Sequence, residues 1–454
     1  MKIAIIGAGV SGLSCAYALE KMQRLGQMAD AHISLFEAND YFGGHAHSVP
    51  LTLPTENGPL THYVDTGFLV YNERTYPGLI ALFAELGIET SATDMSFAVS
   101  MPHIGKDGLE WAGSNLATLF AQKSNLLRPS FWRMVRDILR FNRHTTALAR
   151  SDAADMLALP LGEFLKIHNY GAEFRDWYLL PMMGCIWSCP TEQMMAFPAS
   201  TLIRFCHNHG LLQINQRPRW FTVTGGSHHY VRAILESLRD ARLEAVRQVR
   251  RIAIPGSATG LHYDLVTDKG TERFDQVIFA CHSDEALALL DNPSAAERAV
   301  LGAIGYQPNR AVLHGDAALL PKRKAIWSAW NFSALPAQEG GRSDEVCVHY
   351  LLNRLQPLPA AWGAQPVVVS LNPLVEPDPA LVWGEYHYAH PVFDEMAIAA
   401  QAQLPEIQGL YGAWFCGAWT GYGFHEDGLK SGQAVARQLA QSLQPKAQSG
   451  QKAA

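Results

Sequence analysis

Hydrophobic residues follow two different rhythms along this chain. Lys2–Ile6 is a short continuous apolar run of strand length, and residues 11 to 25 carry apolar side chains at helical spacing. Residues 32 to 38, "HISLFEA", form a second strand-length run, so the chain opens with a strand–helix–strand pattern typical of a buried parallel sheet. Residues 115 to 180 read mostly as helix, and "PSFWRMVRDILRFNRHTTALA" (129–149) has the spacing of an amphipathic helix. "HNHGLLQINQRPRW" (207–220) breaks that rhythm with Gly, Asn and Pro. Between 247 and 280 three strand-like runs, "VRQVRRIAI", "LHYDLVT" and "QVIFACH", are separated by turn residues. "EVCVHYLLNRL" and "PVVVSLNPL" are later β-rich stretches. The last fifteen residues are polar and expected to fray, and no internal repeat is visible.

Composition narrows the class. A chain of 454 residues exceeds one typical core and suggests two or three domains. With 48% hydrophobic and 17% charged residues it is globular, and a net charge of −6 offers no basis for nucleic-acid binding. Seven scattered cysteines, an odd number, argue against a disulfide framework and suit a reducing compartment, hence an expected cytoplasmic location. The N-terminal run resembles a signal peptide in length, but glycines at 7, 9 and 12 suit a strand–turn–helix better than an apolar helix. No membrane span is indicated.

The chemistry begins at "IAIIGAGVSG". Gly7 suits a tight turn, Gly9 a close approach of backbone to phosphate, and Gly12 close helix packing; Ser11 lies in the same turn, and the helix start supplies N–H groups. The following strand ends in Glu37, placed to accept hydrogen bonds from an adenosine ribose. "NDYFGGHAHS" adds a second glycine pair, Gly43 and Gly44, and "YVDTGFLVY" contains a DxG at Asp65–Gly67. This order resembles the FAD-binding half of the flavin amine oxidase, protoporphyrinogen oxidase and phytoene desaturase superfamily. In those families Arg often follows the glycine pair; here it is His45, which can donate one hydrogen bond.

The resemblance continues through "WFTVTGGSHHYVRAI" (220–234), through "LEAVRQVRRI", where the backbone near Val249 is implied to touch adenine, and through "FDQVIFACHSDEAL". It ends at "WFCGAWTGYGFHEDGLKSGQAVARQL", similar to the C-terminal flavin motif. Gly417 matches its glycine, and Ala418 stands where an acid is common. The helix starting near Glu426 is implied to aim its N–H groups at the flavin ring, with Glu426, Gly428 and Leu429 as backbone contacts. The carboxylates of Glu426 and Asp427 have two readings, helix caps or chemistry.

The resemblance implies an α/β fold: a Rossmann-like domain binding FAD, built from discontinuous segments 1–75, 216–290 and 405–442. An α+β substrate domain with a helical subdomain (76–215 and 291–404) and a flexible tail (443–454) complete it. FAD binding is expected to be non-covalent, because Cys416 at a strand end need not face the ring. "RAVLHGDAALLPKRKAIWSAWNF", "YLLNRLQPLP", "VSLNP" and "GAWTGYGFHEDGLKSG" further resemble a bacterial group of FAD-binding oxidoreductases. That group looks like the flavoprotein domain fused ahead of the methyltransferase in plant cyclopropane fatty acid synthases. It implies hydride transfer from a lipid acyl chain to flavin N5, with a lipid methyltransferase as partner, and leaves the catalytic base unassigned. Trp187, Trp330, Asn331 and Trp419 are candidates for the substrate pocket, with plain core packing as the competing account of the tryptophans. Cys185 and Cys189 in "CIWSCP" lack a metal-binding pattern, so buried thiols are expected and no metal. Arg128, Arg133, Arg136, Arg140 and Arg143 form either a solvated helix face or a contact to the inner surface of the membrane. Rival functions are an amine oxidase acting on a small amine, a nicotinamide-only dehydrogenase, and a flavin-binding accessory protein without turnover.

Overall fold

A computed structural model describes residues 1–149, 159–187, 191–212, 218–253, 261–334 and 347–444, without the side chains of 187 and 191–193. The chain divides into two compact units, Met1–Ala46 with Tyr230–Ile304 and Ile398–Ala454, and His47–His229 with Gly305–Ala397.

The first unit is built on a five-stranded parallel sheet in the order Ala241–Leu243, His32–Glu37, Lys2–Ile6, Gln276–Phe279, Ala413–Phe415. Its middle strand explains the unbroken apolar run at the N-terminus, since Ile3, Ala4 and Ile5 are fully buried. Each such isoleucine contributes about 2 kcal/mol by burial. The helix Val10–Arg24 follows directly. Of the three runs expected between 247 and 280, only the last joins this sheet. Val246–Ala253 and Leu261–Thr267 form a separate antiparallel sheet with Gly270–Phe274. That third strand escaped the sequence reading because its mostly exposed "GTERF" has no apolar rhythm.

The second unit contains the hairpin Ser48–Thr55 and Gly58–Asp65, paired from Ser48↔Asp65 to Thr55↔Gly58. It also holds a seven-stranded mixed sheet ordered Val382–Val392, Gly305–His314, Val368–Leu371, Cys347–Leu351, Trp330–Ser333, Phe97–Met101, Leu109–Ala112. The described residues between 115 and 180 are mostly helical, as expected. Pro129–Ala149 buries Phe131, Met134, Phe141, Thr145 and Leu148 on one face. A π-helical turn, Arg175–Leu179, lies between Ala172–Phe174 and Leu180–Trp187. Such turns re-aim side chains within a helix, and this one carries Tyr178. No helix among the described residues is long and apolar enough to cross a membrane. Cys189, the Trp187 side chain, the domain boundary at 215–216 and the tail from 445 lie outside the described residues.

Candidate active site

The glycine turn of the first unit is a cradle with one open side. Gly7 has φ +103°, and a Cβ there would meet the Ala280 carbonyl oxygen at 2.8 Å. A Cβ at Gly12 would lie 1.9 Å from the Gly7 carbonyl oxygen, so both positions exclude a side chain. Gly9 differs: a Cβ there would meet no protein atom within 4 Å. No side chain caps the helix that Gly9 begins, and no acid stands in its first turn. An uncapped helix start with open space at its cap residue fits a phosphate.

Three other sequence-predicted residues converge on that turn. Gly43 forms a parallel bridge with Gly9, and a Cβ on Gly44 would sit 3.0 Å from the Gly9 Cα. The buried Glu37 carboxylate accepts from the Ala8 N–H (2.8 Å) on Oε2, and from the backbone and side-chain N–H groups of Asn39 on Oε1 (3.0 and 2.9 Å). Glu37 thus ties its strand end to the glycine turn and keeps acceptor capacity for a further hydroxyl. His45 lies near His282, ring centroids 6.5 Å apart. Val249 is fully buried, its carbonyl accepting from the Asp291 N–H.

The helix His425–Ser442 brings its first turn onto the same place. A Cβ at Gly428 would meet Val10 Cγ1 at 2.7 Å and Ser11 Oγ at 2.9 Å; one at Gly432 would meet the Ser11 carbonyl oxygen at 2.1 Å. Ser14 Oγ donates to the Leu429 carbonyl (3.2 Å). The N-terminal turns of two helices therefore pack backbone against backbone, and Gly432 repeats Gly428 four residues on, the spacing that marks a close-packed helix face in the sequence. Ahead of this helix, Gly417 N–H donates to Ser431 Oγ (3.0 Å). Asp427 accepts the N–H groups of Tyr422 (3.1 Å) and Phe424 (3.0 Å), and burial raises its carboxyl above the ordinary range. That is the capping role. Glu426, 4% exposed, pairs with Lys430 at 3.1 Å. Replacing Asp427 by Ala should cost about 1 kcal/mol by loss of the cap, read as a lower urea midpoint at unchanged slope. An unchanged midpoint would show that the two N–H groups find water instead. Tyr230 OH lies 2.6 Å from His425 Nε2, and burial lowers that imidazole to about 3, so the pair is uncharged.

The three pocket candidates whose side chains are described take separate places. Trp330 lines a cavity of about 110 Å³ in the second unit with Phe97, Trp111, Tyr178, Met182 and Ile186. Among the described residues, none lining that cavity is charged. Asn331 has its side-chain amide engaged within the protein: it accepts from Ser328 N–H and donates to the carbonyls of Ser328 and His349. Trp419 belongs to the first unit's core, 2% exposed, its indole N–H donating to the Cys281 carbonyl (3.3 Å). Cys416 is likewise fully buried, and desolvation holds its thiol protonated.

Two buried polar assemblies in the second unit went unread in the sequence. Asp65, 1% exposed, accepts from Ser48 Oγ (2.5 Å), Ser227 Oγ (2.6 Å), Ser227 N–H (2.9 Å) and Gln356 Nε2 (2.6 Å). Thr66 beside it bonds Tyr388 OH at 2.6 Å, and Gly67 follows in the same bend. The other assembly joins His314, Ser370, His349 and Cys347. Asp316 N–H donates to His314 Nδ1 (3.0 Å), so the neutral His314 carries its proton on Nε2 and donates to Ser370 Oγ (2.6 Å). Ser370 then donates to His349 Nδ1 (2.6 Å), leaving the His349 proton on Nε2, 3.4 Å from Cys347 Sγ. Burial lowers His314 to about 4 and His349 to about 3, which keeps both rings neutral.

A glycine cradle, an acid-terminated second strand and a returning C-terminal helix meet in one unit. A model of the flavin containing amine oxidoreductase family matches residues 10–334. The chain belongs to that family. As a flavin amine oxidoreductase it shares its fold with several solved structures of low sequence identity. The CLA-producing fatty acid isomerase from P. acnes is 13% identical, with a TM-score of 0.63 over 96% of this chain and 98% of that one. Cyclohexylamine oxidase from Brevibacterium oxydans IH-35A is 15% identical, with a TM-score of 0.64 over 97% and 99%. Putrescine oxidase bound to putrescine is 16% identical, with a TM-score of 0.62 over 97% and 99%. No curated protein sequence matches this chain. The chain is therefore a flavin-dependent oxidoreductase of the amine oxidase type.

Proposed function

We propose that this flavin oxidoreductase binds FAD non-covalently and takes hydride from a carbon of a lipid acyl chain, by desaturation or oxidation. The observation that carries the substrate class is the cavity around Trp111, Tyr178 and Trp330, whose lining is largely apolar and aromatic, with no charged side chain among the described residues. An acyl chain asks for dispersion contact and exclusion of water; an ammonium group asks for a counter-charge. When bound, FAD supplies the hydride acceptor.

The chain's own residues have distinct tasks in this reading. The start of Val10–Arg24, with Gly9 open beside it, takes the pyrophosphate. Glu37 offers its remaining lone pairs to the adenosine ribose, and the Val249 backbone lies against adenine. Gly417, Gly428 and Leu429 would hold the flavin by backbone contact near the head of His425–Ser442, whose first turn already carries the carboxylates of Glu426 and Asp427. Among the described residues lining the cavity, Ser96, Ser114, Tyr178 and Cys185 carry hydroxyl or thiol groups, and Trp111 and Trp330 carry indole N–H groups. Desolvation keeps the Cys185 thiol protonated.

One observation favours a second reading. The Trp111 and Tyr178 rings lie 6.1 Å apart, tilted by 32°, with Trp330 lining the same cavity. Aromatic faces can hold a cation without an acid, which would suit a small amine. Anaerobic reduction separates the two. Unsaturated or methylated acyl phospholipid should bleach the flavin absorbance, whereas cyclohexylamine and putrescine should leave it unchanged. Bleaching by amines alone would replace the acyl reading by the amine one. A flavin spectrum unmoved by either class would indicate binding without turnover.

A further inference from the structure

Leu127 is 88% exposed, the largest exposure among the large hydrophobic side chains described. Its neighbours compound the anomaly. Leu126 and Trp132 are each 48% exposed, and with Pro129, Arg133 and Arg136 they border an open surface depression of about 440 Å³. Contiguous exposed apolar surface of this kind marks an interaction site. The patch is preformed. Trp132 Nε1 donates to the Leu126 carbonyl (3.0 Å), and its ring packs on Phe120 with centroids 5.2 Å apart. Loop and helix are therefore locked together with their apolar side chains outward.

The charge around the patch selects the partner. Residues 123–149 hold six basic side chains and one acid, in a chain of net charge −6. The acid, Asp137, is buried beneath Arg136 and Arg140, 3.3 and 3.5 Å away. Glu173 pairs with Arg133 and is mostly covered. The Arg136 side chain is 70% exposed, and Leu139 and Arg143 continue the same outer face at helical spacing. Aliphatic and indole side chains ringed by arginines are the combination that enters the headgroup region of a bilayer bearing negative charge.

We propose that the face formed by Leu126, Leu127, Trp132 and Arg136 docks this protein on the surface of an anionic lipid bilayer. The docking does not depend on which substrate the cavity takes. Its test is flotation of the full flavoprotein with vesicles of phosphatidylcholine containing 30 mol% phosphatidylglycerol, against pure phosphatidylcholine, at low and high salt. Wild type should float with the anionic vesicles and lose at least tenfold in bound fraction at high salt or without phosphatidylglycerol. Leu127→Glu with Trp132→Glu should abolish flotation, and Arg136→Glu should reduce it several-fold. Trp132→Glu and Arg136→Glu also remove the contacts to Leu126, Phe120 and Asp137, so a lower thermal midpoint is expected and unchanged flavin absorbance reports folding. Leu127→Glu alone touches none of these and should match wild type in both while weakening flotation. The proposal is overturned if wild type stays with the soluble fraction, or if the double variant floats like wild type. It is also overturned if binding ignores lipid charge, or if sedimentation velocity shows that the double variant disrupts a self-association of the protein while leaving flotation intact.

Discussion

Gly9→Ala will leave the apoprotein's thermal midpoint within about 2 °C of wild type and lower flavin affinity by about a hundredfold. The asymmetry follows from what a methyl group would meet. At Gly9 it points into space empty of protein, and the backbone there has φ −70°, which alanine adopts freely. Any effect must therefore come from a ligand occupying that space, and overpacking of one methylene against an immovable group costs about 1–3 kcal/mol. Gly12→Ala is the control with the opposite balance. Its Cβ would fall 1.9 Å from the Gly7 carbonyl oxygen, a backbone atom that cannot retreat without breaking the turn. That variant should lose both stability and flavin. Calorimetry of the deflavinated proteins and titration with FAD distinguish the outcomes. Equal losses of stability in both variants, or unaltered FAD binding by Gly9→Ala, would remove the phosphate role from Gly9.

Removing the Asp65 carboxylate is expected to have the next largest effect. Asp65→Ala strands four buried donors from Ser48, Ser227 and Gln356, and should destabilise the protein by about 4 kcal/mol. The same group makes stability depend on pH in an uncommon direction. Burial outweighs its hydrogen bonds and raises its pKa from 3.8 to about 6, so between those values the folded state holds a proton that the unfolded chain has released. The stabilisation is complete below pH 4 and is lost as pH rises through 6, a change of about 3 kcal/mol. Urea unfolding of wild type and Asp65→Asn between pH 4 and 7 will show it. Wild type should lose stability relative to the variant as pH rises across that range. Parallel profiles would mean that Asp65 stays ionised throughout, held by its donors.

What could be read from the residue order was local in origin. Gly7, Gly9 and Gly12 declare themselves because their requirements, a positive φ, an open approach and a close contact, are met within one turn. The apolar run at Lys2–Ile6 marks a doubly covered strand for the same reason. The Asp65 assembly was invisible because its partners stand at Ser48, Ser227 and Gln356, and chain order does not report their meeting. Tryptophan content was equally mute. Trp330 and Trp419 looked alike as pocket walls, yet one lines a cavity and the other fills a core, a difference set by packing partners far away along the chain. Asn331 shows the reverse case, a polar residue suggestive of ligand contact whose amide is consumed by its own strand turn.

The file of hydrogen bonds from Asp316 to Cys347 runs across three neighbouring strands, where Val312 and His349 flank Ser370 in the ladder. Because alternate residues of a strand face opposite sides, sliding Val368–Leu371 by a single position would turn the Ser370 hydroxyl away and deprive two sealed imidazoles at once. Misaligned versions of this sheet thus forfeit about 2–6 kcal/mol, whereas an all-aliphatic interior would tolerate them. The oily half of the molecule carries its own proofreading device.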